Sequence, residues 1–248
     1  MQKDKLIITV ATGTGFHELL SYTGNILQLY ADKIGADYIA LTNQTQDWWG
    51  LEKFRVHNYA ESYNRTLFLD ADICLTNLTP DIFDIVPEGH VGAHNDWYQV
   101  PQYDWIVPER NRMLVSQGVM PYPSKVLLNS GIILCDKQHA GVWSAPTKPF
   151  VPTHCAEQFW VEHCIHPYPV YHLPTTLNVC IWMKDFYSLL DQAQNIHLAN
   201  IPHPLRMQFV KHFSKNLYED RDAVIDKVKK WVVSNKIVVS IHSDDVVL

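Results

Sequence analysis

Apolar positions follow two rhythms along the first seventy residues. Leu6-Ile7-Ile8-Thr9-Val10-Ala11 is a β-rich run closed by Thr12-Gly13-Thr14-Gly15, and from Leu19 to Ile34 apolar residues recur at helical spacing. Gly35 marks the end of that helix, and Asp37-Tyr38-Ile39-Ala40-Leu41-Thr42 reads as a second strand. Strand, helix, strand in this order predicts an α/β protein with a Rossmann-like, mostly parallel sheet flanked by helices. Residues 51–63 return to helical spacing. Thr66-Leu67-Phe68-Leu69 is then apolar on both faces, the mark of a central strand covered on both sides. Beyond it the pattern predicts a short strand at 90–93, a loop-rich stretch at 95–122 and strands within 125–135. A helix at 156–165, a non-helical stretch at 167–174, a short strand at 195–199 and an amphipathic helix at 220–233 complete it. No internal repeat, low-complexity tract or linker divides the chain.

The central strand ends on Asp70-Ala71-Asp72. In open α/β sheets ligands sit at the carboxyl edge of the strands, where diverging loops leave a crevice. Two carboxylates one residue apart at that edge can reach a single hard cation, Mg²⁺ or Mn²⁺, while a nucleotide diphosphate supplies further oxygens. The bland reading makes Asp70 a turn cap and Asp72 a solvated acid, because turns favour aspartate. A carboxylate at the end of a buried strand costs solvation unless it is paired or metal-bound, which favours the metal.

Composition narrows the partners. The 248 residues include 47% hydrophobic and 12% aromatic residues, enough for a substantial core. A formal net charge of -6 gives no field for a nucleic-acid backbone. No signal-peptide series and no stretch of membrane-spanning length occur, and the five cysteines include no CxxC pair. These features predict a cytoplasmic protein without a transmembrane segment.

The chain resembles the retaining glycosyltransferases of family eight, the group of glycogenin and the bacterial lipopolysaccharide galactosyltransferases. Ile8-Thr9-Val10-Ala11-Thr12 is similar to that family's first strand and nucleotide-binding loop. Leu51-Glu52-Lys53-Phe54-Arg55 followed by Tyr63-Asn64-Arg65-Thr66-Leu67-Phe68-Leu69-Asp70-Ala71-Asp72 resembles its lysine-bearing helix and DxD strand. Leu128-Asn129-Ser130-Gly131 resembles its Asn-x-Gly strand, and Glu157-Gln158 its Asp-Gln pair, with Glu in place of Asp. Ile196-His197-Leu198-Ala199-Asn200-Ile201-Pro202-His203-Pro204 is similar to its late His-x-x-Gly-x-x-Lys-Pro segment, with Asn200 for the Gly and His203 for the Lys.

The resemblance implies a GT-A fold over residues 1–248. Its nucleotide-binding part covers about 1–95, its acceptor part about 96–215 and a C-terminal helix about 216–248. It implies transfer of a hexose from a nucleotide-diphosphate sugar, UDP-sugar first, to a carbohydrate or glycoconjugate acceptor, with retention. Asp70, Asp72 and His197 hold Mn²⁺ or Mg²⁺ in this reading, with His212 as a rival third ligand. Ala11, Thr12, Lys53, Ala71, Ser130, Gly131, Asn200 and His203 join the two aspartates around the donor. Asn129, Glu157 and Gln158 position sugar and acceptor. Histidine at 203 removes a permanent cation, so phosphate charge passes to Arg206, Lys211 or Lys215 or becomes pH-dependent.

Other readings remain open at this stage. A catalytically inactive nucleotide-sugar binding protein fits the substitutions at 157, 200 and 203. A haloacid-dehalogenase-like phosphatase also ends a strand in DxD, but has Thr where this chain has Cys74. A nucleotidyltransferase usually has a basic Gly-rich loop after its first strand, and Thr12-Gly13-Thr14-Gly15-Phe16-His17 has no Lys or Arg. His154-Cys155 and His163-Cys164 match no standard zinc spacing. Trp97, Tyr98, Tyr103 and Trp105 either stack on a sugar ring or anchor a loop.

Overall fold

Consecutive residues of the central strands divide between two apolar clusters, the reason they are hydrophobic at every position. Leu6, Ile8 and Val10 enter one cluster and Ile7 the other, and Phe68 is likewise opposed to Leu67 and Leu69. The structure is a computed structural model that describes residues 3–46, 48–100, 104–151, 153, 155–235 and 237.

The chain begins with β1 (Lys3–Val10), α1 (Thr14–Ile34) and β2 (Asp37–Leu41). A 3₁₀ stretch (Trp49–Val56) runs into α2 (His57–Ala60), followed by β3 (Tyr63–Leu69), β4 (Ile73–Leu75), α3 (Ile82–Ile85) and β5 (Val91–Asn95). Next come α4 (Ile106–Ser116), β6 (Leu128–Asp136), α5 (Ala156–Ile165), β7 (Val170–His172), β8 (Val179–Cys180) and α6 (Phe186–Leu190). The described chain finishes with β9 (Asn195–His197), α7 (His203–Phe209), a π-helical turn (Val210–Ser214), α8 (Lys215–Asp220) and α9 (Ile225–Ser234). Among the described residues no helix is long and apolar enough to cross a membrane.

Six strands form the main sheet in the order β2-β1-β3-β6-β5-β7. β1 pairs parallel with β2 and β3, β5 pairs parallel with β7, and β6 runs against both of its neighbours. The expected mostly parallel sheet is present, and its one reversed strand matters for the site. Because β6 is antiparallel, its first residues lie at the carboxyl end of β3, with Leu69 opposite Ile132. A second sheet, β4-β9-β8, stands beside that edge.

Helix α1 shows how the periodicity works. Leu19, Thr23, Ile26, Leu27, Tyr30 and Ala31 are its buried residues, a stripe at i, i+4, i+7, i+8, i+11 and i+12. Gly35 takes φ +67°, and the Ala36 N–H reaches back 2.9 Å to the Ala31 carbonyl, closing the helix in the left-handed turn that glycine allows.

Four expectations need correction. Residues 51–63 are a 3₁₀ stretch and one turn of α-helix, and Tyr63 already belongs to β3. Three successive side chains there are held in different directions. Glu52 accepts from the Thr45 and Gln46 N–H groups, Lys53 reaches Asp70, and Phe54 enters the core. An amphipathic α-helix presents one buried face only. The loop-rich 95–122 stretch contains α4, whose Pro108 sits in the first turn, where no intrahelical N–H bond is lost. The strand expected within 125–135 begins only at Leu128. The helix expected at 220–233 is shorter, because Arg221 turns away to donate its N–H to Asn77 and its guanidinium to the Leu190 carbonyl. The expected C-terminal helix beyond residue 237 lies outside the described residues.

Candidate metal and nucleotide-sugar site

Asp70 follows β3 directly, and its N–H donates to the Gly131 carbonyl of β6 at 2.8 Å. A tight turn continues the chain into β4, with the Ile73 N–H on the Asp70 carbonyl at 3.1 Å. The turn's middle is pinned by Thr23 of α1, whose hydroxyl donates to the Ala71 carbonyl at 2.9 Å. Ala71 thus contributes backbone anchoring. β4 pairs with β9 so that Ile73 faces His197, and the Leu198 N–H meets the Asp72 carbonyl at 3.1 Å. The small sheet therefore delivers a histidine from 125 residues downstream to the aspartate pair.

The outcome is a three-residue cluster whose ligand atoms all lie within 4.8 Å of one another. His197 Nε2 stands 3.3 Å from Asp72 Oδ1 and 3.8 Å from Asp70 Oδ2. Its Nδ1 lies 3.0 Å from Asn178 Oδ1, an atom that only accepts, so a proton is assigned to Nδ1 and Nε2 is the nitrogen turned to the carboxylates. Three potential ligand atoms converge here at the wall of a buried site. Two carboxylates and an oriented imidazole form a donor set that fits Mn²⁺ or Mg²⁺, with Asn178 fixing the ligand's tautomer. Among the described residues no other group of His, Cys, Asp and Glu makes such a cluster. His212, the rival ligand, is exposed and turned to the Gln208 carbonyl at 2.7 Å. Of the His-Cys pairs, the Cys164 thiol turns to the Ser144 carbonyl, and His154 lies outside the described residues.

Gly131 explains the glycine of Asn129-Ser130-Gly131. A Cβ at this position would stand 2.3 Å from His197 Cε1 and 2.9 Å from Asp70 Oδ2. Only a residue without a side chain lets β6 run this close beneath the cluster.

Two cations already balance the carboxylates. Lys53 Nζ is 3.1 Å from Asp70 Oδ2, 3.2 Å from Ser130 Oγ and 3.4 Å from Glu157 Oε1, and Ser130 donates to the same Glu157 oxygen. Arg206 of α7 stands 3.0 Å from Asp72 Oδ2. Burial raises the Asp70 carboxyl above its ordinary range, although Lys53 pulls the other way. For Asp72 burial also opposes ionisation, but His197, Arg206 and Lys53 together outweigh it and hold the carboxyl well below its usual value. Burial alone would lower the Lys53 ammonium, yet Asp70 and Glu157 raise it. Asp72 and Lys53 are thus charged at neutral pH.

A cleft of about 360 Å³ opens over this cluster. Thr12, Asn129, Ser130, Glu157, Gln158 and Asn200 line it together with Lys53, Asp70, Asp72, Gly131 and His197. Ala11 does not line it, and its N–H is engaged by the Leu41 carbonyl. His203 is also outside the lining, on the exposed start of α7 and 4.0 Å from Glu18. Asn200 adopts φ +60°, a conformation that asparagine tolerates better than most side chains, so it can stand where the resemblance expects glycine. Of the aromatic group, Trp105 lines the cleft, Trp97 is buried, Tyr98 is exposed, and Tyr103 lies outside the described residues.

One residue was missed outright. Asp96 lines the cleft, 1% exposed, and accepts from Asn129 Nδ2 at 2.7 Å, while His94 Nδ1 lies 2.7 Å from its other oxygen. The signal was present, because His94-Asn95-Asp96 ends β5 at the same sheet edge that made Asp70 conspicuous.

No protein-family model and no curated protein matches the chain. Solved structures do. A glycosyltransferase involved in glycosylation of the major capsid of PBCV-1 superposes with a TM-score of 0.59 at 15% identity, covering 84% of this chain and 98% of that one. The apo structure of the bifunctional glycosyltransferase WbbM superposes with a TM-score of 0.52 at 12% identity. That match covers 92% of this chain and 52% of WbbM, so the chain spans about half of that protein. The chain has the GT-A-like α/β fold of these glycosyltransferases, with a carboxylate and imidazole cluster at the carboxyl edge of its main sheet.

Proposed function

We propose that this chain is a metal-dependent glycosyltransferase that moves a hexose from a nucleotide-diphosphate sugar, UDP-sugar first, to a carbohydrate acceptor. The observation that carries the reading is the convergence of Asp70, Asp72 and His197 in a cleft at the carboxyl edge of the sheet. Asp70, Asp72 and His197 would hold a divalent cation, which would supply positive charge against the departing diphosphate. Residues 1–95 bind the nucleotide in this reading, with Thr12 facing the cleft. Residues 96–215 shape the acceptor side.

The remaining side chains orient and exclude. Lys53 and Ser130 hold the Glu157 carboxylate at the cleft wall, and Asp96 holds the Asn129 amide, so both groups meet a sugar in a fixed geometry. Glu157 is tied to the Lys53 ammonium. Retention by attack from the leaving-group face is the route that needs no protein nucleophile.

A panel of nucleotide-sugars incubated with Mn²⁺ tests the reading. Slow hydrolysis of at least one uridine diphosphate-sugar, abolished by chelation, is expected. Binding of the donors with no turnover, with or without sugar acceptors, would instead identify a nucleotide-sugar binding protein.

A further inference from the structure

The cleft is lined by two cations, Lys53 and Arg206, and four carboxylates, Asp70, Asp72, Asp96 and Glu157, and only one of the cations is enclosed. The Lys53 side chain is 7% exposed and bonded to three side chains around it. Arg206 differs. Its side chain lies at the cleft wall with 16% exposure, close to the Phe16 ring, 5.9 Å from its centroid. One terminal nitrogen meets Asp72 Oδ2 at 3.0 Å and the other the Ile201 carbonyl at 3.1 Å. Its Nε is buried without a hydrogen-bond partner. A buried N–H left unbonded beside a polar cleft is an unfilled donor, and a guanidinium fills donors best by forked bonds to carboxylate or phosphate.

We propose that Arg206 is an exchanging counter-ion: it neutralises Asp72 in the empty cleft and moves onto the donor's diphosphate when cation and nucleotide enter. This rests on the metal-dependent reading above. Two positive groups on one carboxylate repel each other, so a divalent cation between Asp70, Asp72 and His197 weakens the hold of Asp72 on the guanidinium. A diphosphate in the same cleft offers it more negative charge than Asp72 does. Arg206 lies three residues after His203, one turn along α7, and unlike His203 it lines the cleft. The permanent phosphate cation of this chain is therefore on α7 one turn beyond the position where the sequence leads one to look for it. The five-residue π-helical turn Val210–Ser214 directly follows α7, an irregularity of the kind that accompanies functional sites.

The exchange makes a prediction of opposite signs. Calorimetric titration of Mn²⁺ alone should show Arg206→Met binding the ion more tightly than wild type, by about threefold to tenfold, because a competitor has gone. Titration of UDP at saturating Mn²⁺ should show the same variant binding about ten times more weakly, the size of one lost charge-assisted hydrogen bond. Arg206→Lys keeps the charge but not the fork, and should fall between wild type and Arg206→Met in both titrations; it serves alone if Arg206→Met does not fold. Unchanged Mn²⁺ affinity, or a change of the same sign in both titrations, overturns the exchange while leaving the metal site standing. A wild type that binds neither Mn²⁺ nor UDP overturns the metal-dependent reading itself.

Discussion

Asp72→Asn should remove the thermal stabilisation that Mn²⁺ and UDP together confer on the wild type. A ligand at a hundred times its dissociation constant stabilises the native state by about 2.7 kcal/mol. In a chain of 248 residues that corresponds to a rise of about 5–10 °C in Tm. The variant retains the shape of the side chain and the backbone bond from Leu198 N–H to the residue 72 carbonyl, so it should fold. What it lacks is the charge that His197, Arg206 and Lys53 all act to preserve. The shift should fall to near zero, and donor hydrolysis should drop by about a hundredfold or more. Differential scanning fluorimetry with and without ligands reads the first effect, and nucleotide release reads the second. A variant that keeps the full shift removes Asp72 from the site.

The second large effect concerns stability. Arg110 of α4 is wholly buried and pairs with Glu162 of α5 at 2.8 Å. The same guanidinium donates to the Val126 carbonyl at 2.9 Å and the Ser124 carbonyl at 2.8 Å, while Glu162 accepts the Leu128 N–H at 3.1 Å. The pair thus clamps the segment that feeds β6, and β6 carries Asn129, Ser130 and Gly131 into the cleft. Arg110→Met leaves a buried carboxylate uncompensated and should cost about 3–5 kcal/mol. Replacing both partners by apolar residues leaves no orphaned charge, and should cost less than Arg110→Met alone. Chemical denaturation of the single and double variants checks this order. A single variant within about 1 kcal/mol of wild type would show that the pair contributes little.

How much of this was legible in the sequence depends on how local the cause was. β1, α1 and β2 are visible because their periodicities are set by burial alone, and Gly35 ends α1 by its own backbone freedom. Asp70 and Asp72 are legible because a strand apolar on both faces must stop somewhere, and its carboxyl end is where chemistry collects. Other parts were hidden by distant partners. The 3₁₀ stretch at Trp49–Val56 depends on Glu52 meeting Thr45 and Gln46 and on Lys53 meeting Asp70. α4 was masked by Pro108, which signals a break everywhere except in a first turn. Asp96 directly follows β5, but the pairing that brings it to Asn129 of β6 is made in three dimensions. His197 reaches the aspartates through pairing across more than a hundred residues, which spacing cannot reveal and the family resemblance supplied. Arg206 was one of three candidate cations, and only the geometry of α7 brings it to Asp72.

In the proposed function Asp70, Asp72 and His197 would hold one divalent cation beside a nucleotide diphosphate. Anomalous diffraction at the manganese edge, from crystals grown with Mn²⁺ and UDP, tests it most directly. The account predicts one strong peak about 2 Å from an oxygen of each aspartate and from His197 Nε2, with UDP phosphate oxygens completing the shell. A peak coordinated elsewhere, or UDP bound in the cleft with no metal at the three residues, would contradict it.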